Sequence, residues 1–181
     1  MIEKFFTEAV LVGIIASGIR LATPYLYASI GETFGQRSGV LNLGVEGQML
    51  LGAFAAFYVS LTTGNLWFGL LAAMLTGLIM GLGMAFVSIN LQAVQGISGI
   101  GFYLFGLGLS DLLFQKLMGT VVTVSGFRPI YFPVLSDLPI VGQIFFNHNI
   151  LVYGAYAMVF VAWFVLNKTT LGLKIKAVGE S

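Results

Sequence analysis

The sequence predicts an all-α protein, a polytopic membrane bundle of about five spanning helices. Of 181 residues, 58% are hydrophobic and only 8% are charged, whereas a soluble domain carries about 25% charged residues. Mean hydropathy is +0.98. Five apolar stretches fall near the roughly 17–25 residues needed to cross a bilayer.

The first stretch covers residues 9–30 and is interrupted by Arg20 and Pro24. The eight residues before it, MIEKFFTE, carry both signs of charge, and no small-residue cleavage site follows. A retained spanning helix is expected rather than a signal peptide. The second stretch, 40–61, grows out of a polar, glycine-rich run that begins at Gly35. The third, 66–89, has no charged residue, and Gly69, Ala73, Gly77, Gly81 and Ala85 recur every four residues along it. Small residues at that spacing share one helix face and let another helix approach closely. The fourth, 97–114, carries Asp111 near its outer end, a place from which a carboxylate can reach water. The fifth, 150–166, is short but continuous.

The connections differ in kind. Residues 62–65 read as a tight turn and 90–96 as a short polar link. Residues 115–149 hold Pro129, Pro133 and Pro139. Prolines at that density exclude a straight spanning helix, so a structured external loop is expected, with a short helix near 141–146. Lys168, Lys174 and Lys176 follow the fifth stretch, and basic flanks stay on the cytoplasmic side. The tail is then cytoplasmic, the 115–149 loop external, Arg37 internal and the amino terminus external. Lys116 and Arg128 fall on the outer side against this trend.

Catalytic chemistry finds little footing. No cysteine is present, which removes disulfides, thiolate metal sites and cysteine nucleophiles. The single histidine, His148, lies between Asn147 and Asn149 at the membrane edge and is expected to be solvated. Neither a metal-ligand cluster nor a P-loop occurs in the sequence. No metal or cofactor is expected. A net charge of +1 offers no field for nucleic acid.

Polar residues inside apolar stretches are costly in lipid and mark bundle interiors or solute paths. Arg20 has Ser17 and Pro24 one turn away on either side. It could line a path, or pair with Glu46 or Asp111 and only fix packing. Ser38, Asn42, Glu46 and Gln48 form the second group. Asn42 and Glu46 are four apart, so a helix would put them on one face. Gly39, Gly44 and Gly47 weaken that helix by up to about 1 kcal/mol each. One reading is a broken or late-starting helix that lines a pathway or gates it. The other is a capped helix start, with Ser38 or Asn42 as N-cap and Glu46 at the cytoplasmic interface.

Three motifs then make a resemblance. "GQRSGVLNLGVEGQMLLGAF" (35–54) is similar to a stretch of the inner-membrane permeases of ABC importers, with Gln36 where an acidic residue is usual. These permeases carry branched-chain amino acids, ribose-type sugars and nucleosides. "TTLGLKIKAVGES" (169–181) resembles the family stretch that leads into the ATPase-coupling helix. "YFPVLSDLPIVGQIFFNHNILVYG" (131–154) resembles the outer loop of the simple-sugar or nucleoside branch. The resemblance covers nearly the whole chain.

What it implies is a non-enzymatic transport subunit. Its partners would be a cytoplasmic ATP-binding subunit, a second permease subunit, an extracellular solute-binding protein and the lipid bilayer. Ser38, Asn42, Glu46, Gln48 and Arg20 become candidates for the translocation pathway or its gate. Gly172, Lys174, Lys176, Ala177, Gly179 and Glu180 become candidates for ATPase coupling. The sequence reads as one transmembrane domain, the amino-terminal portion of a longer permease, because family members continue past this motif. The alternatives are a branched-chain amino acid permease, an ion-coupled secondary transporter, and a membrane protein with a purely structural role.

Overall fold

The computed structural model describes residues 8–120, 122–133 and 135–180, with side chains from Val10 onward. The expected placement of the amino terminus, and Ser181 at the end of the tail motif, lie outside these residues. The regular secondary structure of the described residues is helical, apart from one isolated antiparallel bridge between Pro129 and Asn149. Its helices are α1 (Glu8–Arg37), α2 (Val45–Thr63), α3 (Leu66–Ala85), α4 (Gln95–Leu117), α5 (Val141–Phe145), α6 (Ile150–Lys168) and α7 (Thr170–Gly179). Five of them are long and apolar enough to cross a membrane. The protein is therefore a multi-pass membrane protein built as a helix bundle.

Two boundaries differ from the sequence expectation by five residues or more. α1 runs unbroken through Arg20 and Pro24 and continues to Arg37, seven residues past the expected end. Hydropathy marks where lipid stops, and the helix ends where its carbonyls find new donors. Val40 N–H donates to Gly35 O at 3.0 Å and Gly39 N–H to Gln36 O at 3.1 Å. With Gly39 left-handed at φ 84°, this is the Schellman pattern that closes a helix. α2 starts at Val45, five residues later than expected, so the glycine-rich stretch is a late-starting helix.

The chain divides into two compact units. One holds residues 1–30 and 127–169, and here the Tyr27 hydroxyl of α1 donates to Leu151 O on α6 at 2.8 Å. Its connecting loop is tied down by several bonds. Ser136 Oγ accepts from Phe132 N–H at 2.9 Å and donates to Phe146 O at 2.7 Å. Tyr131 donates to Asp137 at 2.6 Å, and this bond, more than partial desolvation, raises the phenol pKa. His148 is 1% exposed, which overturns the solvated position expected for it. Its Nε2 contacts Ile144 O at 2.6 Å and its carbonyl accepts from Ile130 N–H. A polar ring flanked by two asparagines looks solvated in sequence, yet the loop folds back over it.

The other unit holds residues 31–126 and 170–181. α2 and α3 form a hairpin around Gly64, left-handed at φ 68°, and Asn65 caps α3 by accepting from Trp67 N–H at 2.9 Å. α3 then loosens into a π turn over Phe86–Asn90 that buries Ser88. Gly69 sits against Ser60 and the Ala56 carbonyl, and Ala73 O lies 3.7 Å from the position a Cβ on Gly52 would take. Gly77 and Gly81, further along the same stripe, have open space within 4 Å. Ala85 is the last residue of α3.

Candidate functional site

A dense set of polar contacts surrounds the elbow between α1 and α2, residues 38–44. Asn42 lies in the extended part of this elbow, three residues before α2. It therefore does not share a helix face with Glu46. Its side chain acts locally: Oδ1 accepts from Gly44 N–H at 2.9 Å, and Nδ2 donates to Gln48 Oε1 at 3.3 Å. The N-cap of α2 is Gly44, which has no side chain to cap with. Asn42 instead forms an Asx turn, accepting from the N–H of that N-cap residue two positions on. Ser38 closes the other side, donating from Oγ to Gly35 O at 2.7 Å. Gln48 Nε2 is buried and has no partner among the described residues. Glu46 is exposed.

Two residues that sequence reasoning passed over organise the elbow. Glu32 Oε1 accepts from Asn42 N–H at 3.0 Å and from Gln36 Nε2 at 3.2 Å. A carboxylate accepting a backbone N–H makes one of the stronger protein hydrogen bonds. Gln95, the first residue of α4, accepts from Leu41 N–H at 2.8 Å and donates to Gly39 O at 3.2 Å. Its amide thus serves the elbow as a neighbouring strand would. The Glu32–Gln36 spacing of four was a readable sign of a helix continuing past Ile30. Nothing local in the sequence joins Gln95 to residues 39 and 41.

The glycines of the elbow are contact points as well as weak helix formers. A Cβ on Gly44 would lie 2.8 Å from Gly99 O, and one on Gly47 would lie 2.6 Å from Tyr103 Cα. A Cβ on Gly99 would lie 2.8 Å from Leu43 N, and one on Gly106 would lie 2.9 Å from Gly47 Cα. Gly99 and Gly106 are seven apart and share a face of α4. Backbone meets backbone along this seam, as small residues permit between membrane helices.

The tail reaches the same place. A Cβ on Gly179, at the end of α7, would strike Arg37 O and lie 3.1 Å from Gly39 N. So "RSG" of the first motif and "AVG" of the last, far apart in sequence, are in contact. Elsewhere on α7, Gly172 is buried, Lys176 half-buried, and Lys174 and Ala177 exposed; Glu180, just past the helix, is also exposed. Arg20 belongs to the other unit and donates from Nη2 to Ser17 Oγ at 2.9 Å.

A second feature is an open groove of about 740 Å³ between α2 and α4, bordered by Phe54, Phe57, Phe114, Ser110 and Asp111. Asp111 is exposed and accepts from Gln115 Nε2 at 2.8 Å. Among the described residues no group of three or more His, Cys, Asp or Glu side chains could hold a metal ion.

Comparison with known proteins adds the following. The profile of a family described as branched-chain amino acid transport system / permease component matches residues 14–181. The chain is 40% identical over 172 residues to TsgC13 of Haloferax volcanii, an ABC transporter permease protein named for glucose, covering 93% of this chain and 52% of that one. It is 35% identical over 180 residues to the guanosine ABC transporter permease protein NupQ of Bacillus subtilis, covering 92% and 56%. It is 32% identical over 179 residues to the nucleoside ABC transporter permease protein NupC of Lactococcus lactis, covering 93% and 56%. The chain thus spans about half the length of the curated relatives it matches. No solved structure matches.

Proposed function

The chain belongs to the family of branched-chain amino acid transport system permease components, and on that premise we propose that it is a membrane-spanning permease subunit of an ATP-driven importer for nucleosides or simple sugars. The observation that carries this reading is the match over residues 14–181, joined to relatives named for guanosine, nucleosides and glucose. In this account the chain forms part of the translocation pathway and breaks no bonds itself. ATP is hydrolysed on a separate cytoplasmic subunit, a second permease subunit completes the pathway, and a binding protein delivers solute from outside.

The chain's own residues support distinct roles. Lys168, Lys174 and Lys176 flank the last spanning helix, which favours a cytoplasmic tail and an external 115–149 loop. α7 then begins the ATPase-coupling region, with Lys174, Ala177 and Glu180 exposed for a partner. Ser38, Asn42 and Gln48 belong to the gate at the elbow. Exposed Glu46 suits a seam with the second permease subunit, because a bare carboxylate in lipid is costly. Few fixed charges line the spans, which suits a path that must release its solute.

The test is a cysteine at Ala177. In membranes holding the partner ATPase, A177C is expected to crosslink to it. Efficient labelling of A177C from outside the cell would overturn the topology, and crosslinking no greater than at a lipid-facing control would overturn the coupling role.

A further inference from the structure

We propose that Gln95 is a positioning residue for coupling: its amide fixes the backbone of residues 39–41 so that the end of α7 and the α1–α2 elbow move as one body. The inference rests on the reading of the chain as an ABC permease and names how that permease is regulated from its tail. Backbone meets backbone where the tail touches the elbow. A Cβ on Gly39 would lie 3.5 Å from Gly179 Cα, and one on Gly179 would lie 3.0 Å from Arg37 C. The placement of this contact depends on what holds the elbow backbone in place.

Two side chains do this, one from α1 and one from α4. Glu32 of α1 holds the Asn42 N–H at 3.0 Å. Gln95 of α4 holds the Leu41 N–H at 2.8 Å and the Gly39 carbonyl at 3.2 Å. The two bonds fix the orientation of the Gln95 amide, since only its oxygen accepts and only its nitrogen donates. Gln95 opens the helix whose next turn is pressed on Leu43 and Gly44 at Gly99. A displacement of α7 arriving at residues 37–39 is thereby handed to the start of α4. From there the Gly47–Gly106 crossing passes it to α2. Each step in this chain is a direct contact, which a coupling route requires before any energetic test.

The test compares Q95L, which removes both bonds, with Q95E, which keeps an acceptor for Leu41 N–H but turns a carboxylate oxygen toward Gly39 O. With the partner ATPase and binding protein reconstituted, solute moved per ATP hydrolysed is measured. Q95L is expected to lower that ratio by about 5- to 150-fold, the usual span of a coupling free energy, with ATP turnover retained. Q95E is expected to fall between Q95L and the parent. A merely structural defect would lower turnover and transport together and leave their ratio unchanged, which overturns the proposal. The second measurement needs no partner. Spin labels at exposed positions 37 and 180 (R37C, E180C) in the chain alone in lipid are expected to give a narrow distance distribution. Q95L and Q95E are both expected to broaden it, and an unchanged width overturns the proposal. If no ATPase associates with the parent chain, the permease reading falls, and the label widths still decide the role of Gln95.

Discussion

Gly47→Ala and Gly77→Ala make the same chemical change and are expected to have opposite consequences. A Cβ at position 47 would lie 2.6 Å from Tyr103 Cα and 2.5 Å from Tyr103 O. Carbon atoms pack at about 3.5–4.0 Å, so α2 and α4 must part by about 1 Å. Both obstructing atoms are backbone, and no rotamer change relieves them. Overpacking of this kind costs about 1–3 kcal/mol. At position 77 a Cβ meets nothing within 4 Å. There only the helix-propensity gain of up to about 1 kcal/mol remains. That gain applies to both variants and largely cancels in their difference. G47A is therefore expected to be less stable than G77A by about 1–3 kcal/mol. Titration of the purified protein with a denaturing detergent, read by Trp67 and Trp163 fluorescence, measures the difference. If G47A is as stable as G77A, the close approach of α2 to α4 is wrong.

Three further outcomes follow from other contacts. Glu32→Ala removes a charged acceptor from the Asn42 N–H, a bond worth about 1.5–3 kcal/mol, and amide exchange at Asn42 is expected to accelerate by about 10- to 150-fold where opening is local; unchanged exchange would contradict the hold of Glu32 on the elbow. Ser136→Ala strips the acceptor from Phe132 N–H and the donor to Phe146 O, so the 127–149 loop is expected to be cut faster by added protease, while equal cutting would show that the loop does not depend on this hydroxyl. Tyr131 has a raised pKa through its bond to Asp137, so that bond is present at neutral pH and lost as pH rises through a value above the usual ~10 for tyrosine. Absorbance at alkaline pH is expected to show Tyr131 ionising earlier in Asp137→Asn than in the parent, and coincident curves would remove Asp137 as the cause.

The legible parts of this protein were those set by length and hydropathy. The five spanning stretches, the hairpin at residue 64 and the short helix near 141 needed only local information. Helix ends were less legible where a backbone motif, and not lipid, decided them. Residues 31–37 look like a polar loop because Gly31 and Gly35 are poor helix formers, yet the helix runs on to the turn closed by Gly39. The elbow was visible as an anomaly, through Ser38, Asn42, Glu46 and Gln48. Its organisation was not, because Gln95 is 54 residues from Leu41 and Gly179 meets Gly39 across most of the chain. Gly44 and Gly47 looked like weak points in one helix, whereas α4 passes over them. Burial of His148 was hidden for the same reason: its partners Ile130 and Tyr153 come to it only when the chain folds.

The role proposed for this chain is to carry part of the path of an ATP-driven importer. It is tested most directly by uptake of labelled guanosine, glucose and leucine into membrane vesicles holding the chain and its transport partners. Uptake of guanosine or glucose is expected to require ATP and the partner ATPase and to stop when that ATPase is removed. Uptake driven by a proton or sodium gradient without ATP would contradict it, and leucine as the preferred solute would contradict the nucleoside or sugar assignment.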